Sequence, residues 1–236
     1  LGLAPLINKN IQNVVIRNAS LRWPVDENLS SILKNQKLLD LTRRAKYILF
    51  KFPNGTLIIH LGMSGRLCLL PLNSKINKHD HVDFTFNNEI ILRYTDPRRF
   101  GSILWTDRCP FEHRLLCKMG PEPLEDEFNK SYLYKKIKSK NQSIKAAIMD
   151  SHNVVGIGNI YASEALFYSG IRPQRRANKV SQKEMDVLVG FIKVVIKKAI
   201  LKGGSTMSDF FDVNGENGYF QNEHQVYGRE GLPCKE

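Results

Sequence analysis

Asp96-Pro97-Arg98-Arg99-Phe100-Gly101 sets two arginines and an aromatic between a proline and a glycine. Pro and Gly punctuate a turn, so the side chains between them are presented together. A guanidinium can donate two parallel hydrogen bonds to a base edge or a phosphate. An aromatic ring can wedge into a base step or stand in for an extruded base. The same residues would also serve a structural turn, with Arg99 paired to an acid and Phe100 buried. His60-Leu61-Gly62-Met63-Ser64-Gly65 leaves a strand with two glycines, which lets the backbone approach a ligand closely. Met63 is there either a flexible apolar filler or a core residue of a plain turn.

Arg43-Arg44-Ala45-Lys46-Tyr47 opens a strand with three cations. They suit a phosphate groove, and Lys46 could act as acid or base if burial lowered its pKa. A solvated basic strand end is the plainer reading. His79 and His81 are two apart and share one face of a strand. No acid–cysteine cluster completes a metal set around them, so a phosphate contact is the better expectation. Gly156-Ile157-Gly158-Asn159 carries a glycine turn into a helix start, where free N–H groups suit phosphate. Lys140 and Lys145 bracket another helix start just upstream. Two helix starts beside a lysine cluster make a better phosphate clamp than either alone.

Short strands and turns must position the first group. Tyr47–Phe52 and Thr56–His60 flank Pro53-Asn54-Gly55, a hairpin signal. Val82–Phe86 and Glu89–Tyr94 flank Asn87-Asn88, and Ser102–Trp105 follows the arginine turn. Val82, Phe84 and Phe86 alternate with Asp83 and Thr85, which predicts one packed and one wet face. Several strands at this spacing suggest a sandwich or barrel. Gly120-Pro121-Glu122-Pro123 breaks the pattern, and helices are predicted over 143–151, 158–169 and 182–202. Ser181 with Glu184 has the form of a capping box. Leu188, Phe191, Ile192, Val195 and Ala199 recur at helical spacing behind it, and Gly203-Gly204 stops the helix. Residues 205–223, rich in Gly, Asn and Asp, read as a loop.

The 236 residues carry a net charge of +12 at a sequence pI near 9.6. That points to a polyanionic partner, although charge alone is equally consistent with a solvated basic surface. Residues 1–120 hold 18 Lys and Arg against 9 acids, and 130–145 add six lysines with no acid. No apolar run reaches membrane-spanning length, and no signal peptide is visible. The four cysteines, Cys68, Cys109, Cys117 and Cys234, have no paired short spacing, so a reducing cytoplasm is expected.

Six segments occur in order: RRAKY at 43–47, HLGMSG at 60–65, HDHVD at 79–83, RYTDPRRFG at 93–101, MGPEPL at 119–124 and VVGIGNIYASEAL at 154–166. Together they closely resemble the bacterial formamidopyrimidine-DNA glycosylases over nearly the whole chain. The resemblance implies an α+β chain of two domains: an N-terminal β-sandwich (1–118), a linker (119–128) and a helical domain with a helix-two-turn-helix motif (129–228). It implies a DNA-repair enzyme, acting as a monomer on double-stranded DNA, that flips out oxidised or ring-opened purines such as 8-oxoguanine and formamidopyrimidine. Abasic-site strand cleavage by β,δ-elimination would follow through a Schiff base. Met63, Arg98 and Phe100 resemble the trio that fills the void, with Arg98 facing the orphaned cytosine. Lys46 resembles the lysine that assists β-elimination. His79, Arg98 and Lys140 match DNA-binding positions, Lys145 and Asn159 resemble phosphate contacts near the lesion, and 205–227 resembles the loop over the flipped base.

Two departures carry expectations of their own. The family's nucleophile is the secondary amine of an N-terminal proline followed by glutamate, and this sequence begins about ten residues after that pair. Pro5 cannot substitute, because its nitrogen is an amide. The chain as written is therefore expected to be impaired, and a non-catalytic lesion-binding protein is the alternative. A sibling enzyme acting on oxidised pyrimidines is a third reading; the Met63/Arg98/Phe100 set and the long 205–227 loop favour purine lesions. The family also ends in a four-cysteine zinc finger. Only Cys234, in the place of the first ligand, is present in 229–236, so no zinc is expected on these residues.

Overall fold

The computed structural model describes residues 2–203 and 224–235. These divide into two compact units, residues 2–117 and residues 118–203 with 224–235. No helix among the described residues is long and apolar enough to cross a membrane.

The first unit is built from eight strands in two four-stranded sheets. One sheet has the order β1 (Ile11–Ile16), β6 (Asp80–Phe86), β7 (Ile90–Thr95), β5 (Arg66–Pro71). The other has the order β2 (Asp40–Arg44), β3 (Tyr47–Phe52), β4 (Gly55–His60), β8 (Ser102–Thr106). All pairings are antiparallel. Val14, Phe84, Leu92 and Tyr94 from the first sheet meet Phe50, Phe52, Leu57, Ile59 and Ile103 from the second in one buried cluster. The two sheets thus form a sandwich, closed at one side by α1 (Leu29–Leu33) through buried Leu29 and Leu33.

The hairpin at 53–55 forms, but Gly55 is already the first strand residue, opposite Phe52. Pro53 and Asn54 are the loop. Arg43–Tyr47 does not open a strand; it turns one into the next. Arg44 pairs with Tyr47, and Ala45 takes φ 55°. The sequence hides this turn because it contains no glycine or asparagine, the usual residues of left-handed backbone.

The alternation in β6 misleads at Asp83, which is buried rather than wet. Asp83 lies opposite Arg93 on β7. Arg93 Nε and Nη2 donate to its two carboxylate oxygens at 2.8 Å each, and Arg17 Nη2 adds a bond of 2.6 Å. Arg93 Nη1 also reaches the Lys75 carbonyl and Asp80 Oδ2, at 2.7 and 3.3 Å. The opposite charges cross the strands and satisfy one another, which is what lets a polar face be buried.

The second unit is helical: α2 (Lys130–Ile137), α3 (Ile144–Met149), α4 (Asn159–Tyr168) and α5 (Gln182–Leu201). The helices at 144, 159 and 182 lie within the predicted spans and end earlier. Helix α2 was not anticipated, since its lysines obscure the apolar face that Leu133 and Ile137 bury. The Ser181–Glu184 capping box is present in both directions. Leu188, Ile192, Val195 and Ala199 of α5 pack with Leu133, Ile148 and Leu166 in a separate core.

Burial raises the Asp83 pKa, but the hydrogen bonds and charges of Arg93 and Arg17 outweigh it and hold the carboxyl below its usual 3.8. This stability is present above pH 3.8 and is lost as pH falls through the lowered value. Arg93→Met leaves Asp83 and Asp80 without their shared cation, and a loss of about 3–5 kcal/mol is expected. Urea unfolding at neutral pH measures it; a loss below about 1 kcal/mol would mean that the network contributes little.

Candidate nucleic-acid interface

The arginine turn is held from beneath by one carboxylate. Asp96 is completely buried. Its Oδ1 accepts from the Ser64 hydroxyl at 2.6 Å, and its Oδ2 accepts from the Gly101 N–H at 2.8 Å and the Tyr94 hydroxyl at 3.1 Å. Tyr94 in turn is a strand residue of the core. Burial first, then the Asp96 charge and hydrogen bond, push the Tyr94 phenol far above its ordinary pKa, so it stays a donor. The Asp96 carbonyl accepts from Arg99 N–H at 3.2 Å and lies 2.7 Å from His81 Nε2. Arg99 takes φ 56°, and its guanidinium pairs with no acid among the described residues.

The same carboxylate joins two loops. Ser64, which donates to Asp96, also accepts from the Arg98 N–H at 3.1 Å. A Cβ on Gly62 (φ 64°) would stand 2.6 Å from the Gly101 nitrogen and the Phe100 carbonyl carbon. A Cβ on Gly101 would fall on the Tyr94 hydroxyl. Only glycine lets these two backbones touch. The outcome is that Met63 and Phe100 stand on two loops of one fixed base, 54% and 46% exposed, and line the same cleft. The Arg98 guanidinium lies 4.8 Å over the Phe100 ring.

Met63, Arg98, Arg99 and Phe100 line a cleft of about 780 Å³ together with Lys46, His60, Gly62, Ser20, Leu21 and Arg22. Sequence reasoning missed Arg22 and His60. Arg22 sits on a loop whose backbone donates to the Gly101 carbonyl at 3.1 Å. His60 ends β4, and its Nδ1 accepts the Gly62 N–H at 3.0 Å, which leaves Nε2 as the protonated nitrogen of the neutral ring. Burial, then Lys46 and Arg22, lower the His60 pKa against the opposing pull of Asp96. Lys46 stands at the turn between β2 and β3 and lines the cleft. Surrounding atoms desolvate its ammonium enough to lower its pKa. The cleft is therefore cationic, with its one anion buried below the floor.

His79 does not line the cleft. It precedes β6, half-buried, its carbonyl accepting the Asp96 N–H at 3.1 Å and its ring 6.4 Å from that of buried His81. Among the described residues no group of three His, Cys, Asp or Glu could hold a metal.

Lys140, Lys145 and Asn159 fall in the second unit. Lys140 Nζ donates to Asn153 Oδ1 at 2.7 Å and lies 3.5 Å from Asp150. Buried Asn153 donates onward to the Ala147 carbonyl, so this lysine is oriented by α3. Lys145 is in the first turn of α3 and lines a shallow depression with Ser143, Met149 and Asp150. Asn159 is exposed at the first turn of α4, whose cap Gly158 offers no side chain. Further along α4, Glu164 is buried and accepts from the N–H groups of Gln225, Val226 and Tyr227 at 2.8–3.0 Å. An acid inside the apolar ASEAL run was the available signal for it. The expected lesion loop lies outside the described residues except for 224–227. Cys234 is exposed, and Cys68, Cys109 and Cys117 belong to the first unit. These residues do not make a tetrahedral zinc set.

The two-sheet sandwich and the helical unit that follows it have their likeness among DNA glycosylases with an H2TH domain. The formamidopyrimidine-DNA glycosylase N-terminal domain matches residues 1–103, and the H2TH domain of the same enzymes matches 119–211. The chain is 52% identical over 234 residues to formamidopyrimidine-DNA glycosylase of Psychromonas ingrahamii, covering 99% of this chain and 86% of the relative. For the Escherichia coli enzyme the identity is 49% over 235 residues, with 99% and 87% covered. Among solved structures, the MutM (Fpg) protein of Thermus thermophilus superposes with TM-score 0.87 at 32% identity, covering 99% and 85% of the two chains. Lactococcus lactis Fpg in complex with DNA containing an abasic site gives 0.89 at 30%, covering 99% and 86%. The chain belongs to the formamidopyrimidine-DNA glycosylase family.

Asp96→Ala leaves three donors facing a void, and a loss of at least about 3 kcal/mol is expected, against about 1 kcal/mol for Tyr94→Phe. Denaturant unfolding of the two variants checks the order; equal losses would contradict a central role for the carboxylate.

Proposed function

We propose that this protein is a base-excision-repair glycosylase that removes oxidised or ring-opened purines from duplex DNA and cleaves the resulting abasic site. The observation that carries this reading is the set Met63, Arg98 and Phe100, presented on one fixed base above a cationic cleft. Extruding a nucleotide costs a few kcal/mol, and less for a damaged base. Met63 and Phe100 occupy the vacated stack, their apolar atoms replacing the lost base contacts. Arg98 directs its parallel donors at the acceptors of the widowed cytosine.

Phosphates are held by charges and by backbone. His60 offers its Nε2–H, and Arg22 adds charge from the cleft wall. His79 and Lys140 serve as further DNA contacts. Lys145 and the open N–H groups around Asn159 take phosphates near the lesion. Lys46, with its lowered pKa, supplies a neutral amine more readily than an ordinary lysine. It takes the C2′ proton of the Schiff base as the 3′ phosphate leaves. The nucleophile is assigned to the family's Pro-Glu pair, since Pro5 is an internal amide. Zinc would belong to a finger of which Cys234 is one ligand, and no step here passes through it.

Borohydride trapping on duplex DNA with 8-oxoguanine opposite cytosine tests the chemistry. A covalent adduct is expected when the chain is prepared with a Pro-Glu segment ahead of Leu1, and not from residues 1–236 alone. An adduct from 1–236 alone would overturn the assignment of the nucleophile. Retained lesion binding without trapping in either form would instead describe a protein that recognises damage without cutting.

Lys145→Ala is expected to reduce the log–log salt dependence of DNA binding by about one unit. An unchanged slope in a salt titration would remove Lys145 from the phosphate contacts.

A further inference from the structure

Residues 140–145 and 173–178 run antiparallel in the second unit. Ile144 N–H donates to Arg175 O at 2.8 Å and Lys145 N–H to Pro173 O at 3.3 Å. In return, Ala177 N–H donates to Gln142 O at 2.9 Å and Asn178 N–H to Lys140 O at 3.2 Å. Ser143 and Arg176 form a β-bridge between them, and the Asn178 amide donates to Asn141 Oδ1 at 2.8 Å. A helix entry and a distant loop are thereby zipped into one short ribbon.

The ribbon and its flanks are entirely basic. Residues 138–145 and 172–179 contain Lys138, Lys140, Lys145, Arg172, Arg175, Arg176 and Lys179, and no acid. Two of these seven have internal partners: Lys140 with Asp150, and Arg175 with Glu184 of the capping box. Lys138, Lys145, Arg172, Arg176 and Lys179 have no acid partner among the described residues, and all but half-buried Lys145 are exposed. Unpaired like charges on a hydrogen-bonded ribbon repel one another. Their crowding is relieved when a polyanion of regular spacing lies along them.

The Arg175–Glu184 pair gives the ribbon its rigidity. It fixes the 173–178 strand to the start of α5, and the Ser181 hydroxyl and N–H share the same carboxylate. Arg175 first, then Ser181, lower the Glu184 pKa to about 2, so the fastening stays ionised across the physiological range.

We propose that this ribbon is a second phosphate-binding surface, on which Lys138, Arg172, Arg176 and Lys179 hold the backbone of duplex DNA flanking the lesion site. The proposal rests on the DNA-binding reading above and extends its footprint beyond Lys145. The surface reads no sequence, because its contacts are charges and not base edges. It adds affinity and retains the protein on DNA between lesions.

The test uses labelled duplexes carrying an abasic-site analogue. One runs about one helical turn, some ten base pairs, to either side of the analogue. Two others are each cut to a few pairs on one side. Affinities of residues 1–236 are measured over a range of salt. For the long duplex, Arg176→Gln/Lys179→Gln is expected to reduce the salt slope by about two units. For one of the two trimmed duplexes it is expected to change nothing. Lys145→Ala reduces the slope on all three by about one unit. A double variant with the wild-type slope on the long duplex, while Lys145→Ala retains its effect, overturns the ribbon and leaves the DNA reading intact. Wild-type protein that binds none of the duplexes overturns both. Matching thermal melts establish that the exposed substitutions leave the fold unchanged.

Discussion

A buried carboxylate with three donors and, among the described residues, no ion-pair partner organises the site. Asp96 has no exposure, and Ser64, Tyr94 and Gly101 each give it a hydrogen bond. A buried polar side chain is tolerated when its polar atoms are hydrogen-bonded. Here the filling draws one donor from a core strand, one from the glycine loop and one from the end of the turn itself. Satisfying the charge and setting the relative position of the two loops are the same act. The arginines are thereby released from internal pairing, and the cleft above keeps a net positive field.

The helical unit uses the same device. Glu164 sits inside α4 and collects three consecutive N–H groups from 225–227. Asn153, also fully buried, links Lys140 to the end of α3. In each case a buried polar side chain is satisfied by backbone groups or a neighbouring side chain. The sandwich handles charge differently, with Arg93, Asp83 and Asp80 neutralising one another across strands.

Much of this was legible in the residues. DPRRFG announced its turn through Pro97 and Gly101, and the capping box announced α5. The family resemblance placed Met63 and Phe100 together, which periodicity could not. Their exposure excludes the core placement that the same letters would also fit. Other features were hidden for physical reasons. Asp83 reads as a wet strand residue until Arg93 is known to lie opposite, because cross-strand pairing is set by register and not by neighbours in sequence. The turn at Ala45 carries none of the usual turn residues. Arg22 reaches the cleft from a distant segment with no local pattern to mark it, and His60, although it opens the HLGMSG segment, carries no sign there that its ring lines the cleft. The 140–145 and 173–178 ribbon is likewise a product of tertiary contact.

Gly62 and Gly101 have a consequence for how such a protein can change. The two loops are registered by backbone touching backbone and by a carboxylate under the floor. None of those supports passes through the side chains of residues 63, 98 or 100. The tips are consequently interchangeable parts on a mount that does not depend on them. Substitution at these positions can change what the tips present while the mount persists, so a lineage can vary the tips without first rebuilding the fold.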